Sequence, residues 1–161
     1  MRLKAMAKIN LGLDVLGKRE DGYHEVRMIM QTIRMYDILD IRKTRRPGIV
    51  LTTNLPFIPT DQRNLVYKAA QMLMEEFDVE EGLSIKLRKF IPVAAGMAGG
   101  SSDAAAAFVG VNRMFHLGLT EEQLMERAVK VGADVPYCIM RGTALAEGIG
   151  EKLTRLPEVP K

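Results

Sequence analysis

Glycines and serines crowd into residues 92–103, whose sequence is PVAAGMAGGSSD. Glycine lets several main-chain N–H groups point into one small space because it has no β-carbon. The small residues that follow, Ala104–Ala107, favour a helix. The first N–H groups of a helix are unpaired and lie at the positive end of its dipole. The segment therefore predicts an anion site, of the kind that holds a phosphate group.

The spacing of this loop differs from the two familiar phosphate-binding signatures. A Walker loop carries Lys and then Ser or Thr after its last glycine, whereas Ser101 follows Gly100 directly, and the G-x-G-x-x-G spacing is absent too. A glycine-rich turn in which a serine caps a helix is the simpler interpretation. Asp103 also opposes an anion site, since a carboxylate repels phosphate unless it points away or faces a metal. Both interpretations stay open on the loop alone.

Two charged residues far from the loop would complete a site for phosphoryl transfer. Residues 3–15 alternate between apolar and polar, which predicts a half-buried strand with Lys8 and Asn10 side by side on its exposed face. Asp134 lies in the sequence GADVP, residues 132–136, whose proline is expected to hold the preceding residue in extended geometry. Phosphoryl transfer needs N–H dipoles, a cation and a carboxylate near the accepting hydroxyl. Taken singly, Lys8 is a solvated strand lysine and Asp134 a turn residue that bonds its own backbone.

The hydrophobic pattern predicts the elements that would carry these residues. Strands are expected at 3–15, 25–35, 37–43, 49–53, 83–87 and 143–147, and helices at 64–77, 102–115 and 120–132. Thr120 and Gln123 form a capping box, and Gly132 ends that helix. The strand at 143–147 is expected to be the last, with a linker at 156–161. Strands in the first half and clustered helices later predict an α+β fold, with helices on one face of a mostly antiparallel sheet.

Composition indicates a globular protein of one domain, because 161 residues with 47% hydrophobic side chains are enough for one core and too few for two ordinary ones. The net charge of +3 is small and the basic residues are spread along the chain, apart from Arg42–Arg46, which argues against a nucleic-acid partner. The chain has no apolar run of membrane length and no signal-peptide pattern. A single cysteine, Cys138, excludes an internal disulfide. These features predict a cytoplasmic protein without a membrane partner.

Five segments together resemble the GHMP kinase superfamily and, within it, the kinases that act on 4-diphosphocytidyl-2-C-methyl-D-erythritol. They are Ala7–Leu11, Arg19–His24, Arg63–Leu65, Pro92–Ser102 and Gly132–Pro136, and the resemblance covers nearly all of residues 1–152. The glycine loop alone is typical of the whole superfamily, whereas the Asp-Gly-Tyr-His turn combined with Gly-Ala-Asp-Val-Pro is specific to these kinases. The resemblance implies an N-terminal GHMP kinase domain over residues 1–152, similar in fold to a ribosomal-protein domain, and the start of a linker at 153–161.

The resemblance implies ATP-dependent phosphorylation of the 2-hydroxyl of that cytidine-diphosphate-linked methylerythritol, a small-molecule substrate, with Mg²⁺ as a cofactor. It implies that Asp134 is the base or orienting carboxylate for the hydroxyl, and that Lys8 holds Asp134 and the transferring phosphoryl group. It also implies that Asn10 contacts the substrate, that Tyr23 stacks on the cytosine and that His24 hydrogen-bonds it.

For ATP, the resemblance implies a triphosphate wrapped by the glycine loop, with Asn64 and Lys89 nearer to the adenosine. The loop residues are Pro92, Val93, Ala94, Ala95, Gly96, Met97, Ala98, Gly99, Gly100, Ser101 and Ser102. Ser101, Ser102 and Asp103 are the nearest candidates by type for the Mg²⁺ ligand, which is otherwise unassigned. Many members of the family carry extra glycines and a leucine at four loop positions that are alanine or methionine here, and we expect modest effects because these side chains are small or of equal volume.

The family carries a second domain that closes one side of the substrate site. We therefore expect this chain to fold or nearly fold but to turn over poorly, and to expose apolar surface through which copies could associate. Two alternatives stay open. A sister kinase acting on homoserine or mevalonate is disfavoured by the Gly-Tyr-His turn at 22–24. A nucleic-acid-binding module is disfavoured by the near-neutral charge.

Overall fold

One long strand organises the sheet. The computed structural model describes residues 1–158, in which β1 (Arg2–Lys18) and β2 (His24–Thr44) form an antiparallel ribbon. The sequence pattern predicted two strands with a break before Asp37, but β2 is continuous over 21 residues. The strand continues because its pairing with β1 does not stop there: Asp37 lies opposite Ala5 in the register.

The other strands extend this ribbon into a mixed sheet. They are β3 (Ile49–Thr53), β4 (Gly82–Arg88), β5 (Thr143–Gly148) and β6 (Lys152–Arg155), and the strand order is β3-β4-β2-β5-β6, with β1 also paired to β2. β4 pairs with the C-terminal part of β2, and β5 pairs with its N-terminal part. Within residues 1–158, only the β3–β4 pair is parallel. The predicted mostly antiparallel sheet is confirmed.

The last strand was predicted wrongly. β6 follows β5 and pairs with it in antiparallel fashion, from Lys152 opposite Glu147 to Arg155 opposite Ala144. Its four residues are too few to show a period-two pattern, so no sequence signal distinguished it from a linker. Residues 156–158 have no regular secondary structure, and residues 159–161 of the expected linker lie outside the described part of the chain. The domain boundary at 152 stays a prediction.

Four helices follow from local signals of different strength. They are α1 (Leu65–Glu76), α2 (Gly99–Met114), α3 (Glu121–Ala128) and α4 (Val135–Met140). The capping box at α3 is confirmed, since Thr120 and Gln123 bond each other's backbone at 3.0 and 3.2 Å. α2 begins three residues earlier than predicted. α3 ends earlier than predicted, although Gly132 still donates its N–H to the Ala128 carbonyl in the turn that follows.

The fourth helix contradicts the expected turn. Pro136 was predicted to keep Val135 extended, but Val135 is the first residue of α4 and Pro136 lies in its first turn. Proline is tolerated there because an N–H in the first turn has no partner within the helix. All six residues of α4 are buried, so tertiary packing stabilises a helix too short to form alone.

The helices cover one face of the sheet, as predicted. Ala104–Ala107 in α2 are at most 2% exposed and belong to the same core cluster as Ile41 of β2. At Gly110 a β-carbon would lie 2.5 Å from Ile41 Cδ1 and 2.7 Å from Leu3 Cδ1. Small side chains therefore allow α2 to lie close against the sheet.

Beyond residue 8, β1 leaves the core. Its apolar side chains are 36–61% exposed: Ile9, Leu11, Leu13, Val15 and Leu16. The β1–β2 register shifts three times, first between Met6 and Lys8, and each such bulge changes which face a side chain occupies. The predicted half-buried strand is therefore right for Ala5 and Ala7 and wrong for the residues after Lys8.

The opposite face of the sheet is open and charged. Arg2, Arg42, Lys86 and Arg88 lie around Asp40, and Arg2 and Arg88 contact its carboxylate at 2.7 and 3.1 Å. These residues are distant in sequence, so pairing of strands produces a cluster that the sequence did not reveal. Within residues 1–158, no helix is both long and apolar enough to span a membrane.

Candidate active site

The loop between β4 and α2 follows an unusual backbone path. Ala94, Gly96 and Ala98 have positive φ angles of 58°, 72° and 53°. Left-handed residues in such a loop turn neighbouring N–H groups toward one concavity, which is an anion-binding feature. Ala98 is also the N-cap of α2 and makes no side-chain cap hydrogen bond. The interpretation that a serine caps this helix is therefore wrong.

The N-terminal end of α2 presents free main-chain donors. The first hydrogen bond of the helix runs from the Ser102 N–H to the Ala98 carbonyl, at 2.8 Å. The N–H groups of Gly99, Gly100 and Ser101 precede it, and within the described residues they have no hydrogen-bond partner. The Ser102 hydroxyl turns away and donates to the Met6 carbonyl at 2.6 Å, which fixes this end of the helix to β1.

A cleft of about 410 Å³ opens in front of these donors. Its lining includes Pro92–Ser101, Asn64, Lys89 and Asp103. Among the residues predicted for ATP, only Ser102 does not line it. The Asn64 side chain is already engaged, because its oxygen accepts from the Val66 N–H at 2.9 Å and its nitrogen donates to the Pro59 carbonyl at 2.8 Å.

Asp103 and Lys89 are paired inside the protein. Lys89 Nζ donates to Asp103 at 2.7 Å and also to Asp37, and all three side chains are at most 4% exposed. Asp103 therefore points toward a cation, which removes the phosphate repulsion that the sequence suggested. Burial, together with the nearby Asp37 charge, raises the pKa of Asp103 well above its usual range despite the attraction of Lys89. Burial lowers the pKa of Lys89, but the two carboxylates outweigh it and the net shift is upward.

Lys8 and Asp134 meet across the fold, with 3.8 Å between Lys8 Nζ and Asp134 Oδ2. The Lys8 ammonium also donates to Asn10 Oδ1 at 3.0 Å, so the predicted adjacency of these two residues is confirmed. The predicted exposure of Lys8 is wrong, since its side chain is only 6% exposed. The bulge after Met6 changes its face, and its main-chain N–H donates to the Met97 carbonyl at 3.1 Å. The ion pair is thereby joined directly to the glycine loop.

The short helix α4 positions Asp134, which is its N-cap. The carboxylate makes no cap hydrogen bond and is 32% exposed, so it is available to a ligand. α4 is held by Tyr137, whose hydroxyl donates to the Gly142 carbonyl at 2.7 Å and lies 3.1 Å from the Thr32 hydroxyl. Thr32 is the register partner of Lys8. Sequence reasoning missed Tyr137 and Thr32, because neither lies in a motif and their contact spans 105 positions.

Comparison with known proteins agrees with this geometry. The family model of the GHMP kinases N terminal domain matches residues 64–142, which include the glycine loop and Asp134. A protein of Lachnospira eligens named 4-diphosphocytidyl-2-C-methyl-D-erythritol kinase is 58% identical over 160 residues, 99% of this chain and 56% of that protein. The chain carries a GHMP kinase N-terminal domain.

Other relatives of this GHMP domain point the same way. A protein of the same name from Caldicellulosiruptor bescii is 56% identical over the whole chain and 56% of its own length. A crystal structure of 4-(cytidine 5'-diphospho)-2C-methyl-D-erythritol kinase has a TM-score of 0.85 and 35% identity, over 97% of this chain and 55% of that one. Mevalonate kinase of Methanococcus jannaschii, at 15% identity and a TM-score of 0.74, over 98% of this chain and 56% of that one, shares the fold alone. The chain spans about half the length of the curated relatives it matches.

Tyr23 and His24 lie apart from the centre of the GHMP domain site. His24 pairs with Lys18 near the tip of the ribbon, whereas Thr32, eight residues later in β2, pairs with Lys8. At about 3.3 Å per residue, this separation is about 26 Å along the strand. Tyr23 is 60% exposed. The structure thus brings together Lys8, Asn10 and Asp134, and places the other two predicted substrate residues at a distance.

Cys138 lies near the Lys8–Asp134 pair but has an unreactive thiol. It is a free, buried cysteine, 6% exposed. Burial and the charge of Asp134 raise the pKa of its thiol to about 12, although Lys8 acts in the opposite direction. A thiol that stays protonated is a poor nucleophile, in agreement with the buried, inert position.

Of the three magnesium candidates, Ser101 fits best. The Ser102 hydroxyl is bonded to Met6, and the Asp103 carboxylate is paired with Lys89. Ser101 lines the cleft, and its hydroxyl has no hydrogen-bond partner among residues 1–158. No group of three His, Cys, Asp or Glu side chains is placed to hold a metal in the described residues. A single protein oxygen suits Mg²⁺, which usually takes its other ligands from water and substrate phosphates.

Proposed function

We propose that this GHMP domain transfers the terminal phosphoryl group of ATP to the 2-hydroxyl of 4-diphosphocytidyl-2-C-methyl-D-erythritol, in the non-mevalonate synthesis of isoprenoid precursors in the cytoplasm. Curated relatives that are 54–58% identical carry the name of that kinase. The single structural observation that carries the proposal is the Lys8–Asp134 pair, whose lysine is hydrogen-bonded through its backbone to the glycine loop.

Each part of the site has a separate task in this reaction. Asp134 either accepts the proton of the acceptor hydroxyl as a base or orients that hydroxyl. Lys8 stabilises the charge that develops on the transferred phosphoryl group. The free N–H groups of Gly99–Ser101 hold the triphosphate at the positive end of α2. When Mg²⁺ is bound, it neutralises part of the phosphate charge, and Ser101 is the residue that would hold it.

The substrate side is proposed from position. Asn10 contacts the methylerythritol near Lys8, while the ribbon presents Tyr23 and His24 to the cytosine. Asn64 supports the adenosine pocket mainly through the start of α1, because its side chain is engaged in the cap. We also propose that full turnover needs the further half of the chain that the curated relatives carry.

A coupled assay for ADP release tests the activity. Mg-ATP is supplied with the cytidine substrate, with mevalonate or with homoserine, and the Lachnospira eligens relative serves as the positive control. We expect turnover with the cytidine substrate only, slow in the 161-residue chain. Asp134→Asn should lower kcat by a factor of about 10²–10⁴, the usual contribution of a positioned acid or base. Turnover with mevalonate or homoserine instead would contradict the proposed substrate.

A binding measurement separates the kinase from a nucleic-acid-binding module. The open sheet face with Arg2, Arg42, Lys86 and Arg88 is the surface that a polyanion would contact. We expect Mg-ATP to bind in calorimetry and RNA to bind weakly at physiological salt. Salt-dependent RNA binding without any nucleotide binding would contradict the kinase proposal.

Self-association of the 161-residue chain is proposed from the exposed apolar ribbon. Leu11, Leu13 and Val15 are each more than half exposed, and such a stripe is costly to leave in water. Sedimentation velocity should show concentration-dependent association that Leu13→Lys reduces. A chain that stays monomeric at high concentration would contradict this proposal.

A further inference from the structure

A buried ion triad lies beneath the glycine loop. Lys89 is 7% exposed, Asp37 is 0% exposed and Asp103 is 2% exposed. They come from three elements: Asp37 from β2, Lys89 from the residue after β4, and Asp103 from the second turn of α2. Two carboxylates therefore share one ammonium in a place where uncompensated charge is strongly disfavoured.

The entrance to the loop is fixed to this triad. One oxygen of Asp37 accepts from the N–H groups of Phe90 and Ile91, the latter at 2.8 Å, and the other oxygen contacts Lys89. The backbone of Lys89 is held on its other side by Asn54, which accepts from its N–H at 2.7 Å and donates to its carbonyl at 3.1 Å. Residues 89–91 are thus bound from both sides.

The exit from the loop is fixed to the same lysine. Asp103 accepts from Lys89 Nζ at 2.7 Å. At Gly99, a β-carbon would lie 3.1 Å from Lys89 Nζ and 3.2 Å from Ile91 Cγ2. The first residue of α2 therefore packs directly on the ammonium and on the entrance segment. Within the triad, the Lys89 side chain contacts both Asp37, which binds the entrance of the loop, and Asp103, which lies beyond its exit.

We propose that Lys89 is a positioning residue of the phosphate loop. Together with Asp37 and Asp103, it joins the loop's two ends so that the N–H groups of Gly99–Ser101 point into the cleft, and it does not itself bind phosphate. Restraint is needed because alanines at 94 and 98 hold left-handed conformations, which cost energy for residues with a β-carbon. The inference rests on the proposed function in one respect, since the ligand is taken to be the triphosphate of Mg-ATP.

The opposing account makes Lys89 a direct phosphate ligand, as lysines often are in kinases. It requires the ammonium to leave two carboxylates inside the protein. The two accounts predict opposite changes in the affinity for Mg-ATP when Asp37 is replaced by asparagine. If Lys89 binds phosphate, Asp37→Asn releases the lysine and removes a negative charge, so Mg-ATP binds more tightly. If Lys89 positions the loop, Asp37→Asn loosens the entrance and Mg-ATP binds more weakly.

The experiment is calorimetric titration of Mg-ATP into the 161-residue chain and its Lys89→Met, Asp37→Asn and Asp103→Asn variants. We expect the first two to raise Kd about tenfold or more, which corresponds to about 1.4 kcal/mol, and Asp103→Asn to raise it less. Hydrogen exchange without nucleotide supplies a second readout. The amides of Ile91 and Ser102, which are hydrogen-bonded at the two ends of the loop, should exchange about tenfold faster in Lys89→Met, because the local opening free energy falls.

Two control variants separate positioning from general destabilisation. Lys86→Met makes the same change three residues earlier, on the open face of the sheet. Leu124→Ala removes a buried side chain of α3, away from the loop. Both should leave the Kd of Mg-ATP and the exchange of the Ile91 and Ser102 amides unchanged at a temperature where every variant is folded.

Tighter Mg-ATP binding by Asp37→Asn, or unchanged exchange of the Ile91 and Ser102 amides in Lys89→Met, would overturn the inference. If Asp37→Asn does not fold, Asp103→Asn gives the same test, because it keeps the Asp37–Lys89 pair. Tighter Mg-ATP binding by that variant would likewise overturn the inference. If the unsubstituted chain does not bind Mg-ATP, the proposed function fails. The exchange of the Ile91 and Ser102 amides then still decides whether Lys89 positions the loop.

Discussion

Two buried lysines of this site have carboxylate partners that differ in their exposure to water. The Lys8–Asp134 pair is 3.8 Å apart and its carboxylate is 32% exposed, so a ligand can reach it. Lys89 is buried together with its two carboxylate partners, Asp37 and Asp103. Removing one member of a buried ion pair costs about 3–5 kcal/mol because it leaves an uncompensated charge. At the scale of single residues, the first pair is suited to chemistry and the triad to structure.

Lys8→Met tests the first pair. We expect kcat in the ADP-release assay to fall by a factor of about 10²–10³, because the removed charge interacts with the developing charge of the transition state. The Kd of Mg-ATP should change less than tenfold. Lys4→Met, on the exposed part of the same strand, is the matched control and should keep its kcat. Equal losses in both variants would show that charge on β1, rather than the pair, matters.

The loss of stability at alkaline pH tests the burial of Cys138 and Tyr137, which lie in the helix that follows Asp134. Burial raises the pKa of Cys138 from 9.0 to about 12 and that of Tyr137 from 10.0 to about 12. The unfolded chain loses these protons first, so the free energy of unfolding falls as the pH rises from 9 to 12. By pH 10.5 the Cys138 contribution should be about 2 kcal/mol.

Urea denaturation at pH 8 and pH 10.5 measures this loss. Cys138→Ala should remove most of it, and Tyr137→Phe a smaller part. A fall in stability of the same size in Cys138→Ala and in the unsubstituted chain would contradict the assignment of the alkaline limit to this thiol.

Residue-level prediction from sequence located the residues that lie in motifs, and their chemical roles stay predictions. Asp134 and the glycine loop were identified from residue types and family resemblance. The burial of Lys8 was missed because it depends on a register shift after Met6, which no local pattern reveals. Asp37 was missed because its partner Lys89 lies 52 positions away.

At the scale of elements, α2 shows how this fold begins a helix without a capping side chain. Its N-cap is Ala98 with φ of 53°, and none of the usual side-chain acceptors satisfies the first N–H groups. A helix start of this kind is left open for a ligand. The strained alanine is the cost of that opening.

Ala98→Gly tests this strain. Glycine adopts positive φ without a steric penalty, so the free energy of unfolding should rise by about 0.5–1 kcal/mol. Ala95→Gly is the control, since residue 95 is not among the positive-φ positions and the change should be neutral or destabilising there. Urea denaturation at pH 7 compares the two. Lower stability in Ala98→Gly would contradict the assigned backbone strain.

Prediction of helices and strands depended on how many residues carry the hydrophobic or capping pattern. α1 was found because apolar residues such as Leu65, Ala69 and Leu73 recur at helical spacing, and α3 was found because the capping box of Thr120 and Gln123 marks its start. α4 and β6 were missed because six and four residues are too short for a period to emerge. Pro136 made this worse, since its usual effect on the residue before it argued for a turn.

At the scale of the whole molecule, the helix layer and the sheet meet through small residues. Ala104–Ala107 and Gly110 leave room for α2 to approach β1 and β2 closely. The α+β class and the single covered face followed from the order of predicted elements. The strand order did not, because β2 pairs with strands on both sides of it in sequence.

Gly110→Ala tests this close approach. The new β-carbon would meet Ile41 Cδ1 at 2.5 Å and Leu3 Cδ1 at 2.7 Å, so side chains or backbone must shift. We expect a loss of about 1–3 kcal/mol, as for other overpacked sites. Gly12→Ala, where a β-carbon would meet nothing within 4 Å, is the control in the same denaturation experiment. Equal stability of the two variants would contradict tight packing of the layers.

The pairing of β2 also sets the order in which a nascent chain can finish folding. Arg27 of β2 reaches Glu147 of β5, 120 positions later. During synthesis, the N-terminal part of β2 (26–31) therefore keeps one edge unpaired until β5 has been translated, whereas β4 can pair with the C-terminal part earlier. Such an edge is open to pairing with other chains until β5 covers it.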